Sequence, residues 1–299
     1  MSFFSCFSAN QTMTPPEKTW ETYLDEYRMN AKFNVEMWVQ TKCMKFNDYL
    51  GKHGISGAVV SVSGGIDSAV ILALLKYTME MPDSCLKKIM VLNQPIHSSP
   101  WARLRAEELC KSFNIELTVI DQSDIHNELT NKFACQGNSF AKGQLRSYMR
   151  TPANYYASQL LKQEGNPAIV VGTGNKDEDG YLAYFCKYGD GAVDVQLISD
   201  LHKSQVFAVG KYLNVVESIL IASPSADLWE GQTDENEMGF SYDFIEFYTG
   251  YYLKLSSAAQ LKWKSTITGE SLYEFLNFEE KCTAIHTQNS HKLLGVINL

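Results

Sequence analysis

The 299 residues are 45% hydrophobic and 20% charged, the balance of a globular chain long enough for one large α/β domain or two small ones. A formal net charge of -8 argues against a broad nucleic-acid-binding face, since neutralising phosphates takes a basic surface, but it leaves room for a locally positive pocket. No apolar run reaches membrane-spanning length. The seven cysteines are odd in number and form no C-x-x-C pair, which predicts reduced thiols in an intracellular, cytoplasmic protein.

The opening "MSFFSCFSAN" is apolar, yet the first basic residue is Lys18, so it lacks the charged start of a signal peptide and the arginines of a transit peptide. Residues 1–28 are expected to form a loosely held extension and residues 29–299 the main domain. A long helix is expected at about 30–52. Five apolar or β-branched runs then follow: "AVVSV" (58–62), "KIMVLN" (88–93), "IELTVID" (115–121), "AIVVGT" (168–173) and "VDVQLI" (193–198). Four of them are dense in Val, Ile and Leu, as strands buried on both faces are. Helical patterns at about 68–80, 101–112, 144–163 and 203–213 alternate with them. This alternation predicts an α/β fold: a parallel five-stranded sheet with helices on both faces. Residues 223–239 read as a long loop rich in turn formers, followed by helices at about 241–249 and 271–281.

The string Ser63-Gly64-Gly65-Ile66-Asp67-Ser68 falls where the first strand ends and a helix begins. Ligands in open α/β sheets bind at such strand ends. Glycines there let backbone N–H groups approach an anion, and the helix N-terminus adds partial positive charge. Ser63 and Ser68 add hydroxyls, so a phosphate or pyrophosphate is the expected guest. The string is neither a Walker A loop nor a G-x-G-x-x-G fingerprint. Asp67 has two readings. It is a helix cap, or it holds a Mg²⁺ ion that bridges to phosphate.

A second constellation, "GTGNKDEDGYLAYFCKYGDGAVDV" (172–195), places Thr173, Glu178, Lys187, Asp190 and Asp194 at the next strand end and loop. A lysine among acids suits a site for Mg²⁺ and a polyanion, and a solvated acidic loop is the plainer alternative.

The glycine string resembles the pyrophosphate-binding loop of the N-type ATP pyrophosphatases, whose fold is adenine nucleotide alpha hydrolase-like. The second constellation resembles the NAD synthetase family in particular, as do "LHKSQV" (201–206), "SPSADLWEGQTDE" (223–235) and "SHK" (290–292). The resemblance implies ATP contacts from Ser61, Ser63, Gly64, Gly65, Ser68, Thr173, Lys203 and Ser225. It implies Mg²⁺ ligation by Asp67 and Glu178, with Lys203 on the phosphates. It assigns Lys187, Asp190, Asp194, His291 and Lys292 to the dinucleotide substrate. The family's "ARxRM" is replaced by "GQLRSYMR" (143–150), so Arg146 and Arg150 are both candidates for the arginine that meets the dinucleotide. The activity implied is ATP- and Mg²⁺-dependent amidation of deamido-NAD through an acyl-adenylate, in a homodimer, releasing AMP and pyrophosphate. About 55 residues precede the first strand, fewer than a fused amidase half needs, which predicts ammonia as nitrogen donor. Another amide-forming ATP pyrophosphatase, or an inactive nucleotide-binding homologue, is the alternative.

Among the other residues, Cys186 is expected to pack, His97 to be a polar loop residue, and His126 and His202 to be surface or capping residues. Trp229 is a candidate cover for a bound ring, with core packing the equal alternative. The stretch "FIEFYTGYY" (244–252) reads as a helix face or a dimer contact.

Overall fold

In the computed structural model, five strands, β1 (Gly57–Ser61), β2 (Lys88–Asn93), β3 (Leu117–Val119), β4 (Ala168–Gly172) and β5 (Val195–Gln196), pair in parallel in the order β3-β2-β1-β4-β5. The structure describes residues 18–135, 137–225, 231, 233–267 and 269–299. Trp229 and residues 1–17 lie outside the described residues. The helices in chain order are α1 (Trp20–Ala31), α2 (Val35–His53), α3 (Ile66–Met79), α4 (Pro100–Ser112), α5 (Ser123–Asn131), α6 (Ser139–Gln163) and α7 (Lys203–Tyr212). After them come α8 (Glu217–Leu220), α9 (Asp234–Met238), α10 (Tyr242–Gly250), α11 (Ser257–Lys264) and α12 (Gly269–Asn289). None of the described helices is long and apolar enough to cross a membrane.

The alternation of side chains along a strand divides the core. Ala58 and Val60 of β1 pack on one face with Leu50 of α2, Val70 and Leu74 of α3, and Val206 of α7. Val59 points the other way, against Ala157 and Leu161 of α6. Ten of the 14 residues of α3 are buried, so this helix is held on all sides and gives the glycine turn a rigid base. The chain leaves β1 outward to β2 and β3 and returns on the opposite side through β4 and β5. The order therefore reverses between β1 and β4, where the carboxyl ends of adjacent parallel strands open a crevice.

Two strands are shorter than the sequence patterns suggest. Runs 115–121 and 193–198 yield only Leu117–Val119 and Val195–Gln196. Both lie at sheet edges with a single neighbour, and short edge strands limit unwanted pairing. The helix expected at about 30–52 is α2, which begins at Val35, and a further helix, α1, precedes it. Lys32 takes a left-handed φ of 46° after α1, and the Asn34 side chain caps α2 by accepting the Met37 N–H at 2.9 Å. The expected loop 223–239 contains α9.

The loosely held extension is corrected for residues 20–28. Trp20 and Leu24 of α1 are buried in a second, aromatic core with Phe244, Phe247 and Tyr248 of α10, Trp263 of α11 and Phe275 of α12. The physical reason is that α10 to α12 cannot bury their aromatic faces on the sheet alone, and α1 covers them. The 244–252 stretch is accordingly a packed helix face. His126 is also corrected from a surface or capping position, since it is buried, and His202 is buried too but holds the capping position of α7. All six described cysteines are free.

Trp20 donates its indole N–H to Glu274 at 2.8 Å and is 3% exposed. Trp20→Ala should therefore lower stability by about 3–5 kcal/mol in urea titration, as a large buried aromatic does. A loss below about 1 kcal/mol would mean that α1 is not part of the core.

Candidate active site

The glycine turn joins β1 to α3. Gly64 has φ +87°, and a Cβ there would lie 2.2 Å from the Ala102 carbonyl oxygen, so α4 sits against the turn and no side chain fits. Ser68 Oγ accepts the Ser63 N–H at 3.2 Å and donates to the Gly65 carbonyl at 3.1 Å, while Ser63 Oγ accepts the Gly65 N–H at 3.3 Å. These bonds hold the turn in shape. The N-terminus of α3 opens on a cleft of about 480 Å³ whose wall includes the whole turn.

Asp67 does not cap α3; Gly65 occupies the N-cap position. The Asp67 carboxylate instead crosses to the β4 side of the crevice. Its Oδ1 accepts from Asn175 Nδ2 at 2.9 Å and its Oδ2 from Lys203 Nζ at 2.6 Å. After β4 the chain makes a π-helical turn, Lys176–Tyr181. The Asn175 side chain caps this turn by accepting the N–H groups of Asp177 at 3.0 Å and Glu178 at 3.1 Å. Glu178 Oε1 accepts from Lys203 Nζ at 2.7 Å, so one ammonium sits between two carboxylates. Tyr242, the first residue of α10, donates to the same Glu178 oxygen at 2.5 Å and lies 3.0 Å from Asp234 Oδ2.

Lys203 is set at the start of α7 by buried polar groups. Its backbone N–H donates to Asp177 Oδ2 at 2.7 Å. His202, the N-cap of α7, lies with Nδ1 2.6 Å from the other Asp177 oxygen and Nε2 2.8 Å from Lys176 Nζ. The Lys176 ammonium makes Nε2 an acceptor, which leaves the ring proton on Nδ1 for Asp177.

The electrostatics follow from this packing. Burial alone would lower the Lys203 pKa, but the charges of Asp67 and Glu178 overcome it and hold the ammonium charged. Burial raises the Asp67 carboxyl, whereas Lys203 more than offsets burial at Glu178 and draws it down. Burial, with help from the Glu178 charge, pushes Asp234 up to about 6. Burial also raises Asp179 well above the usual carboxylate range, reinforced by Asp190 and Glu178. Carboxylates outnumber ammonium groups here, and a further cation is electrostatically favoured.

Several of the expected site residues converge on this cleft. Thr173 and Ser225 line it, and Ser61 donates to Asn154 Oδ1 at 2.7 Å on its floor. Arg150 enters with Nε donating to the Gln94 carbonyl at 3.3 Å. Asp190 accepts from Ser147 Oγ and the Cys186 N–H, both at 2.9 Å. Lys292 reaches the Phe185 carbonyl at 2.9 Å. Four others lie elsewhere. Arg146 is not in the cleft wall and acts electrostatically on His126. Lys187 donates to the Gly295 carbonyl at 2.8 Å. Asp194 accepts the Val170 N–H at 2.8 Å and the Tyr155 hydroxyl at 3.2 Å, which ties it to β4. His291 is exposed, with Nδ1 3.0 Å from the Gln288 carbonyl.

Cys186 is buried and burial raises its thiol, the state of a packing residue. His97 is an exposed loop residue with Nε2 2.9 Å from Asn127 Oδ1. Asn175, Asp234 and Tyr242 escaped sequence reading. Asn175 lies inside the second constellation, where an asparagine before an acidic turn is a cap signal. Asp234 sits in the "TDE" of the matched loop. Tyr242 carries no local signal, because its place depends on how α10 docks.

Lys203→Met leaves Asp67 and Glu178 without their shared counter-charge at a lysine only 4% exposed. The expected loss is about 3–5 kcal/mol in urea unfolding without added divalent ions. Wild-type stability would mean that water already compensates the two carboxylates.

Residues 38–293 match the family model described as NAD synthase. The chain is 36% identical over 201 residues to the NH(3)-dependent NAD(+) synthetase of Syntrophomonas wolfei, covering 65% of this chain and 76% of that one. It is 34% identical over 234 residues to the protein of that name from Sulfolobus acidocaldarius, covering 75% and 77%. Among solved structures, the NMN synthetase of Francisella tularensis superposes with a TM-score of 0.73 at 30% identity, over 90% of this chain and 99% of that one. The NH3-dependent NAD synthetase of Campylobacter jejuni shares the fold, with a TM-score of 0.66 at 23% identity over 89% and 100%. A glycine turn, a lysine held between two carboxylates and a match over most of the length agree: the chain belongs to the NAD synthase family.

Proposed function

We propose that this protein amidates the nicotinate carboxylate of deamido-NAD with ammonia at the expense of ATP. The observation that carries the reading is the Asp67–Lys203–Glu178 cluster beside a glycine turn, in a chain matched by the NAD synthase model over residues 38–293. In the first step a carboxylate oxygen of the acid attacks the α-phosphorus, forming an acyl-adenylate and expelling pyrophosphate. In the second, ammonia adds to the acyl carbon, AMP leaves, and the nitrogen sheds a proton.

The protein's task in the first step is to bring two anions together. The N–H groups of the turn that are not already given to the Ser63 and Ser68 hydroxyls, together with the N-terminus of α3, cradle the pyrophosphate. Lys203 neutralises phosphate charge from the facing wall. The hard oxygens of Asp67 and Glu178 already flank a cation, the Lys203 ammonium, and two carboxylates completed by substrate phosphates suit Mg²⁺. When bound, Mg²⁺ would supply charge stabilisation to the phosphates. Arg150, Asp190 and Lys292 supply polar contacts for the acid substrate. A homodimer and a cytoplasmic location belong to the same reading, with family membership as their support.

One observation favours a second reading of the substrate. The Francisella tularensis structure matched over 99% of its length is an NMN synthetase, which makes nicotinic acid mononucleotide the competing acid. Pyrophosphate release should be measured with ATP, ammonium and each acid in turn. Turnover with the dinucleotide at higher kcat/KM supports the main reading, preference for the mononucleotide supports the second, and release with neither overturns both. Replacing ammonium by glutamine should abolish turnover.

The two arginines separate in the same assay. Arg150→Ala should raise the KM of the acid by about tenfold with a small effect on the KM of ATP, since it removes one charged contact. Arg146→Ala should leave both constants near wild type. The reverse pattern would move the substrate contact to Arg146.

A further inference from the structure

We infer that Tyr242 is a positioning residue for this reaction, setting the rotation of the Glu178 carboxylate that faces ATP and its cation. The inference rests on the phosphate-and-cation reading of the cleft. Glu178 Oε1 accepts two donors, the Tyr242 hydroxyl at 2.5 Å and Lys203 Nζ at 2.7 Å. Two donors on one carboxylate oxygen use its lone pairs and fix the plane of the group. The Tyr242 ring also lies under the Lys203 ammonium, 4.8 Å from ring centroid to Nζ, so it contacts both members of the ion pair.

Tyr242 is itself held firmly. It is 7% exposed and belongs to the aromatic core with Phe244 and Phe275. Its backbone N–H donates to Glu235 Oε1 at 2.9 Å. The ring cannot swing without disturbing α10, so the rigidity of the aromatic core passes to Glu178. Its hydroxyl also lies 3.0 Å from Asp234 Oδ2, and the Asp234 N–H donates to the Pro224 carbonyl at 3.2 Å. Pro224 and Ser225 form part of the cleft wall. One phenol therefore stands between this wall segment and the carboxylate across from the glycine turn. A hydroxyl has one proton to donate, and the shorter contact gives it to Glu178.

The test is Tyr242→Phe, which keeps the ring over Lys203 and removes only the hydroxyl. Mn²⁺ binding to the full-length protein with α,β-methylene-ATP, followed by electron paramagnetic resonance, should weaken roughly 10-fold to 100-fold, the usual effect of losing a residue that orients a metal ligand. The kcat should fall alongside, with the KM of the acid unchanged and the melting temperature within a few degrees of wild type. Wild-type Mn²⁺ affinity in Tyr242→Phe would overturn the proposal, whatever happens to stability. Should that variant not fold, Asp234→Asn gives the second measurement. It removes a charge that competes for the hydroxyl, so Mn²⁺ affinity should hold or improve. A 10-fold loss there would make Asp234 the ligand and overturn the proposal. Because Mn²⁺ binding needs no acid substrate, failure of every acid to turn over would strike the amidation reading alone. Absence of Mn²⁺ binding in the wild type would overturn the cation reading and this one together.

Discussion

The Lys203 ammonium held between Asp67 and Glu178 is the interaction on which the rest of the site depends. Its three members come from three different connections: the start of α3, the π-turn after β4 and the start of α7. None of the three charges is tolerable alone at this depth, because removing a charge from water costs several kcal/mol unless a partner is in place. The cluster therefore locks the β1 and β4 sides of the crevice into one arrangement. Asn175 reinforces the lock by capping the π-turn and bonding Asp67. Asp177 does the same by accepting the Lys203 backbone N–H.

The same cluster explains how an acidic chain can handle polyanions. The net charge of -8 is spread over the molecule, whereas the crevice concentrates α3 N–H groups, Lys203, Arg150 and Lys292 on the surface that a nucleotide would meet. The nearby excess of carboxylates is not a contradiction. Asp234 and Asp179 are pushed toward neutrality by burial, and Asp67 and Glu178 share the Lys203 ammonium. Nothing in the arrangement requires a covalent nucleophile. Cys186, the thiol in the cleft wall, is buried with its pKa raised. The work falls on alignment and charge compensation.

The second, aromatic core gives the C-terminal third a role beyond covering the sheet. Helices α1, α10, α11 and α12 pack Trp20, Phe244, Phe247, Trp263 and Phe275 together, and the first residue of α10 emerges from this core at Glu178. The α/β layer thus provides the glycine turn, and the aromatic layer supports the opposing wall.

By itself the sequence determined the parallel α/β architecture, through Val- and Ile-rich runs spaced by helical patterns, and the place of the glycine turn, whose conformation is written in consecutive residues. It also singled out Asp67, Glu178 and Lys203, because their surrounding strings are distinctive. These signals are local: strand burial, glycine geometry and helix starts are decided within a few residues. Long-range docking was not legible. Arg146 and Arg150 share a helix face in sequence, yet only the packing of α6 beside β2 brings Arg150 into the cleft. Lys187, Asp190 and Asp194 are neighbours in the chain, and the fold sends only Asp190 to the cleft wall, because Lys187 reaches the C-terminal tail and Asp194 is taken up by β4. Trp20 and Tyr242 acquire their roles from partners about 250 and 64 residues away, Glu274 and Glu178. Only the tertiary structure decided these contacts, since they depend on which buried surfaces remain for one another once the sheet is covered.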